Sequence, residues 1–167
     1  MKRTNSAAAL TTPGGARTVC FGVSQGYYAV RTGIMIGTSS LGPCFALIAW
    51  DKDQNVFLAH VQADTTTDSL TTAIDRAIAE PIGVRVVRGK NTSTPTQTII
   101  DGVKSHYLSK KVVVTEHLSD TAAAVSSPQG VLSTPSDITA TNDRDYKTKS
   151  LIGSMIKGKA DIRNMDA

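Results

Sequence analysis

The sequence predicts an α/β fold: a single-domain sandwich of mixed or antiparallel β-sheets packed with two main helices. Three observations predict it. Glycines at Gly22, Gly26, Gly33, Gly37 and Gly42 cut the first third into short apolar runs. Two helix-period stretches come next, one on each side of a short Val-rich run. The resulting order is strands, helix, strand, helix, strand, short strands, which fits a mixed sandwich better than a doubly wound parallel sheet.

Each element has its own reason. Thr18 to Val23 and Tyr27 to Arg31 read as strands around a Gly26 break, and Gly33 to Gly37 as a further short piece. Phe45 to Trp50 and Val56 to Val61 are apolar runs joined by the polar stretch Asp51 to Asn55, a hairpin pattern. Asp68 to Glu80 predicts the first helix. Thr67 or Asp68 caps it, Leu70, Ile74, Ala77 and Ile78 form its apolar face, and Pro81 stops it. Gly83 to Arg88 reads as a strand built on Val84, Val86 and Val87. The second helix is capped by Thr94, takes Pro95 at its first position, and carries Ile99, Ile100, Val103 and Tyr107 as its stripe. Lys111 to Thr115 is a β-branched strand. Thr121 to Ala124 and Gly130 to Ser133 form a last pair around a Ser-Pro-Gln-Gly turn. Residues 1–16 are Ser/Thr/Ala/Gly-rich and read as a disordered leader; 17–135 is the folded domain; 136–167 is a polar tail, partly disordered, in which Leu151 to Ile156 has room for one docked helical turn.

Composition narrows the function classes. A chain of 167 residues has the length for one domain with a sizeable core. Apolar residues are 40% and aromatics 5%, so that core is made of Val, Ile, Leu and Ala. No apolar stretch approaches the roughly 18 residues of a membrane span, and no secretory signal peptide is read at the N-terminus. Two cysteines are too few for a disulfide framework, and their spacing is not that of a zinc site. No metal and no organic cofactor is expected. The net charge of +4 lies largely at the two ends, with no basic stripe interleaved with aromatics, so nucleic-acid binding is not expected.

The chemistry points to Cys44. It comes after a small-residue turn, Thr38-Ser39-Ser40-Leu41-Gly42-Pro43, and opens the first strand of the hairpin; His60 is near the end of the second. Folding the hairpin brings a thiol and an imidazole to the same end, the minimum equipment for cysteine nucleophilic catalysis. The Gly42-Pro43-Cys44 turn is expected to present backbone N–H groups as an oxyanion hole. Thr38 stands ready to orient the imidazole or the substrate amide. Gln62 and Asp64 border this region. Cys20 reads as core, and His106 and His117 as packing or surface residues.

Thr38-Ser39-Ser40-Leu41-Gly42-Pro43-Cys44, followed by Leu58-Ala59-His60-Val61, resembles the signature of the chemoreceptor glutamine deamidases, the CheD family. The resemblance spans about Val30 to Ser133. It implies a CheD-like fold with Cys44 as nucleophile, His60 as base and Thr38 as third member. The cytotoxic necrotizing factor toxins have a similar Cys–His deamidase arrangement. The chain departs from the family pattern in its Cys-to-His spacing, in Pro43 before the nucleophile, in Gly89-Lys90-Asn91 where the family has a Phe-Gly-Gly-like stretch, and in the tail after Pro135.

The resemblance implies hydrolysis of a glutamine side-chain amide on a protein substrate. It carries two settings: a chemotaxis enzyme in the bacterial cytoplasm, or an effector or toxin delivered into a host cell. A thiol protease or acyltransferase would use the same Cys–His pair, and a non-catalytic binding module would keep the same fold.

Overall fold

The computed structural model describes residues 6–11, 17–135, 137–142 and 149–150, with side chains described over 20–135. In chain order the elements are β1 Ser6–Thr11, β2 Arg17–Gly22, β3 Tyr27–Thr32, β4 Ile36–Thr38, β5 Phe45–Trp50, β6 Asn55–Val61, α1 Thr67–Ala77, β7 Gly83–Arg88, α2 Thr94–Ser109, β8 Val114–Leu118, β9 Ala124–Ser126, β10 Leu132–Ser133, β11 Asp137–Asn142 and β12 Lys149–Ser150. They make two six-stranded sheets. One runs β10-β9-β4-β2-β1-β11 and the other β12-β3-β6-β5-β7-β8. All pairs are antiparallel except β2–β4 and β7–β8. The expected α/β sandwich with mixed sheets and two helices is therefore present.

The second sheet is apolar on both faces because it is the middle layer. Phe45, Leu47, Ala49, Phe57, Ala59 and Val61 pack on Leu70, Ile74, Ile99, Ile100, Val103 and Tyr107 of the helices. The alternate residues Ala46, Ile48, Val56, Leu58 and Val87 pack on Phe21, Ile36 and Ala124 of the first sheet. Strand alternation thus sends each neighbour in Phe45–Ala49 to a different layer, and all five are fully buried. That is why β5 reads as a continuous apolar run rather than an alternating one.

Local chemistry sets the ends of the elements. The β5–β6 turn is held by the Asp51 carboxylate, which accepts from Asp53 N at 2.9 Å, Asn55 N at 3.0 Å and Asn55 Nδ2 at 2.9 Å. Thr66 caps α1 by accepting from Ser69 N. Ser93, rather than Thr94, caps α2, which moves Pro95 one position further into the first turn. The helix α1 ends at Ala77, before the expected Glu80. The helices are joined by Asp75, which accepts from Lys110 Nζ at 2.9 Å, His106 Nε2 at 3.2 Å and the Tyr107 hydroxyl at 3.3 Å. His106 is accordingly a packing residue.

Three boundaries differ from expectation. β8 starts at Val114, not Lys111, because Lys110–Val112 finish the end of α2: Lys111 N and Val112 N donate to Leu108 O and Tyr107 O, and Lys111 has φ +60°. The last pair of strands lies at Ala124–Ser126 and Leu132–Ser133. The leader is the larger correction. Ser6–Thr11, read as disordered, is a strand between β2 and β11, with Ala8 opposite both Cys20 and Ala140. Of the tail, Asp137–Asn142 pairs with β1 and Lys149–Ser150 with β3. The helical turn expected at Leu151 to Ile156 lies outside the described residues. No described helix is long and apolar enough to cross a membrane.

Candidate active site

The site forms where the two sheets meet. His60 is opposite Ala46 in the β5–β6 register, so its imidazole shares a face with Ala46, the face turned toward the first sheet. Thr38 ends β4 in that first sheet, opposite Ala124. The two meet across the interlayer space: Thr38 Oγ1 is 2.8 Å from His60 Nδ1. Both are buried, Thr38 at 2% and His60 at 1% exposure.

Proton counting fixes the tautomer. The Thr38 hydroxyl has a single hydrogen, and it is donated to Val23 O at 2.7 Å. Toward His60 the same oxygen has only lone pairs, so Nδ1 must carry the proton and donate. Neutral His60 is therefore the Nδ1–H form, with a bare lone pair at Nε2. Nε2 is buried and has no hydrogen-bond partner among the described residues. Val23 is itself placed by an extension of the β2–β4 ladder, Val23 N donating to Gly37 O at 2.8 Å.

Cys44 continues the β5 ladder by one residue: Gly89 N donates to Cys44 O at 3.3 Å, next to the Phe45–Arg88 pair. Alternation from Phe45, which faces the helices, turns Cys44 to the His60 face. It lies diagonal to His60 across the hairpin, two positions beyond Ala46, with the Phe45–Val61 pair between. His60 and Cys44 make no direct hydrogen bond, since the imidazole's open nitrogen has no partner among the described residues. The reason is register: Ala46, not Cys44, is the residue directly opposite.

Electrostatics describes a resting pair without charge. Burial holds His60 down to a pKa of about 4. Burial, and then the Asp64 carboxylate, push the Cys44 thiol above its ordinary value. Cys44 is 4% exposed. The resting pair is therefore a neutral thiol and a neutral imidazole. Cys20, 1% exposed, is pushed up to about 12 by burial and belongs to the core, as expected.

The turn before Cys44 is built from backbone contacts that the sequence did not show. Cys44 N donates to Leu41 O, and Pro43 has no N–H, so neither supplies the expected oxyanion donor. Gly42 N makes no hydrogen bond among the described residues. Leu41 is fully buried and donates its N–H to Ala122 O at 3.0 Å, which anchors the turn. Ser40 crosses to φ +60° and Gly42 to φ +29°, which folds the turn back on itself. Behind it, Gly89 is pressed against the backbone of Leu41 and Gly42, and Asn91 N donates to Gly42 O at 3.3 Å. Gly89 was readable only as a departure from the family pattern.

The residues given less weight fall around this centre or away from it. Gln62 and Asp64 sit in the turn after β6, closed by Thr65 N donating to Gln62 O at 3.1 Å. His117 is exposed on β8. An apolar groove of about 510 Å³ lies between α2 and β8, lined by Lys104, Leu108 and Lys111–Val114, and includes none of Thr38, Cys44 or His60. No cluster of metal-ligating side chains occurs among the described residues. No family model and no curated protein matches the chain.

Proposed function

We propose that the chain is a cysteine-dependent protein glutamine deamidase of CheD-like type, with Cys44 as nucleophile, His60 as acid–base and Thr38 as the residue that positions it. One observation carries the reading. Thr38 spends its hydrogen on Val23 O and accepts from His60 Nδ1, which leaves Nε2 open, buried and on the Cys44 face of the sheet. A histidine that only filled core space would need no such arrangement, and an unpartnered buried nitrogen is costly unless it is used.

The reaction is built from these groups. A glutamine carboxamide enters beside Cys44. The thiol sulfur attacks the carboxamide carbon while its proton passes to His60 Nε2. The Gly42 N–H is the turn amide available to the developing oxyanion. The imidazolium then gives its proton to the amide nitrogen, the C–N bond breaks, and ammonia leaves a thioester. Water attacks the thioester, giving its proton to Nε2. Collapse releases the glutamate carboxyl, and the proton returns to Cys44. The low pKa of His60 keeps Nε2 unprotonated before attack, and Thr38 Oγ1 stabilises the charged ring through Nδ1 during it.

Peptide-mass analysis of candidate proteins tests this. Wild-type protein is expected to add about one dalton at a glutamine and release ammonia, while Cys44→Ser and His60→Ala do neither and stay folded. Peptide-bond cleavage in place of deamidation identifies a protease instead. Equal deamidation by Cys44→Ser overturns the assignment.

A further inference from the structure

One charged group beside the candidate nucleophile takes no part in the deamidation steps. The β5–β6 ladder ends at Phe45–Val61, so the next residues in register are Cys44 and Gln62. The chain then turns at once, and Thr65 N closes the turn on Gln62 O. Asp64 lies in that turn, exposed, on the side of Cys44 away from Lys90. Its carboxylate makes no hydrogen bond or ion pair among the described residues. After burial, its negative charge is what holds the thiol above its ordinary value. Thr65, beside it, keeps a buried hydroxyl with no hydrogen-bond partner. A turn adjoining the nucleophile thus holds two polar side chains without protein partners.

An unpaired carboxylate here has a cost for a cysteine enzyme, since it opposes thiolate formation. It becomes useful when a substrate brings a positive charge. A cationic group beside the reacting glutamine would pair with Asp64, and pairing would remove the opposition to ionising the thiol. An anionic group would meet repulsion from the same carboxylate.

We propose that Asp64 is a specificity residue of this site, selecting glutamines flanked by lysine or arginine. The proposal rests on the deamidase reading, and its first test does not. Full-length protein is treated with a cationic and an anionic methanethiosulfonate reagent of similar size, and modification at Cys44 is followed by peptide mass. The cationic reagent is expected to react faster, roughly tenfold at low salt, with the preference shrinking as salt rises. Asp64→Asn should bring the ratio close to one, and Asp64→Lys should reverse it. A ratio unchanged in both variants overturns the proposal, whatever the protein does to glutamine. The second test uses glutamine peptides whose flanking residues are lysine or glutamate. Wild type should favour the lysine set in kcat/KM and Asp64→Lys the glutamate set. Equal turnover of both sets by wild type also overturns it. Absence of ammonia from every peptide and protein tried, with the reagent ratio intact, counts against the deamidase reading and takes substrate selection with it.

Discussion

Replacing Gly89 by alanine should damage the candidate site without touching any residue that bears its chemistry. A Cβ at Gly89 would lie 2.8 Å from Gly42 N and 2.9 Å from Leu41 C, and closer still to Gly42 O. These are backbone atoms of the turn that leads into Cys44, so no side-chain rotation relieves the contact. Ordinary van der Waals separation begins at 3.4 Å. The turn must therefore retreat by roughly an ångström, against the buried Leu41 and its bond to Ala122 O. Overpacking of this kind costs about 1–3 kcal/mol, or about 2–4 °C in Tm per kcal/mol for a chain of this size. A nucleophile displaced toward an ångström loses on the order of 100-fold in rate. The assay pairs Tm with two readouts at Cys44: iodoacetamide labelling by peptide mass, and deamidation. Labelling should quicken as the thiol becomes less buried, and deamidation should fall. Gly33→Ala is the control. Gly33 has φ +68° and nothing within 4 Å of a new Cβ, so it should lower Tm through strain alone and leave Cys44 unchanged. Wild-type Tm, labelling and turnover in Gly89→Ala would refute the view that the turn is braced by this contact.

The same contacts predict further outcomes. Thr38→Val should lower turnover roughly 10- to 100-fold with Cys44 still present and protein still folded, whereas Ser40→Ala, at an exposed position, should turn over like wild type; the reverse pattern would show that the third member is misassigned. His60 has a folded pKa of about 4 against 6.5 unfolded, so between these values the unfolded chain binds the extra proton. Stability should be full above about pH 6.5 and fall by up to about 3 kcal/mol as pH drops toward 4, and His60→Gln should flatten that part of a Tm–pH curve; an identical slope in the variant would remove His60 as the cause. Deletion of residues 1–16 should lower Tm, because β1 pairs on both sides, and an unchanged Tm would return those residues to the role of a leader.

The β5–β6 hairpin and both helices were legible because their signals are local. A polar Asp51–Asn55 turn between apolar runs, and hydroxyl caps before helix-period stripes, need no distant partner. Even there the caps were displaced by one residue, since Thr66 precedes Thr67 and Ser93 precedes Thr94, and each neighbour offers the same hydroxyl. Ser6–Thr11 was illegible for the opposite reason. Ser-Ala-Ala-Ala-Leu-Thr has little β-propensity, and its strand exists through pairing with β2 and with β11, more than 120 residues away in sequence. At the site, the hairpin placed Cys44 and His60 at one end of the sheet, but it was the family resemblance that picked out Thr38 most sharply, since its partner lies in the other sheet. Of the turn amides expected to face an oxyanion, that of Cys44 is taken up because its direction is set by the turn closing on Leu41, which residue type does not reveal. Gly89 was missed because its lack of a side chain matters only to a backbone segment far away in sequence.

The most direct test is the protonation state of His60, read from the imidazole nitrogens of ¹⁵N-histidine-labelled protein by NMR, with His60→Gln to assign the signals. At pH 7 the ring is expected to be neutral, with the proton on Nδ1 and the lone pair on Nε2, and to stay so until the pH approaches about 4. In Thr38→Val the two tautomers should mix. A ring protonated at Nε2, or an imidazolium at pH 7, would contradict the arrangement from which Cys44 chemistry has been derived.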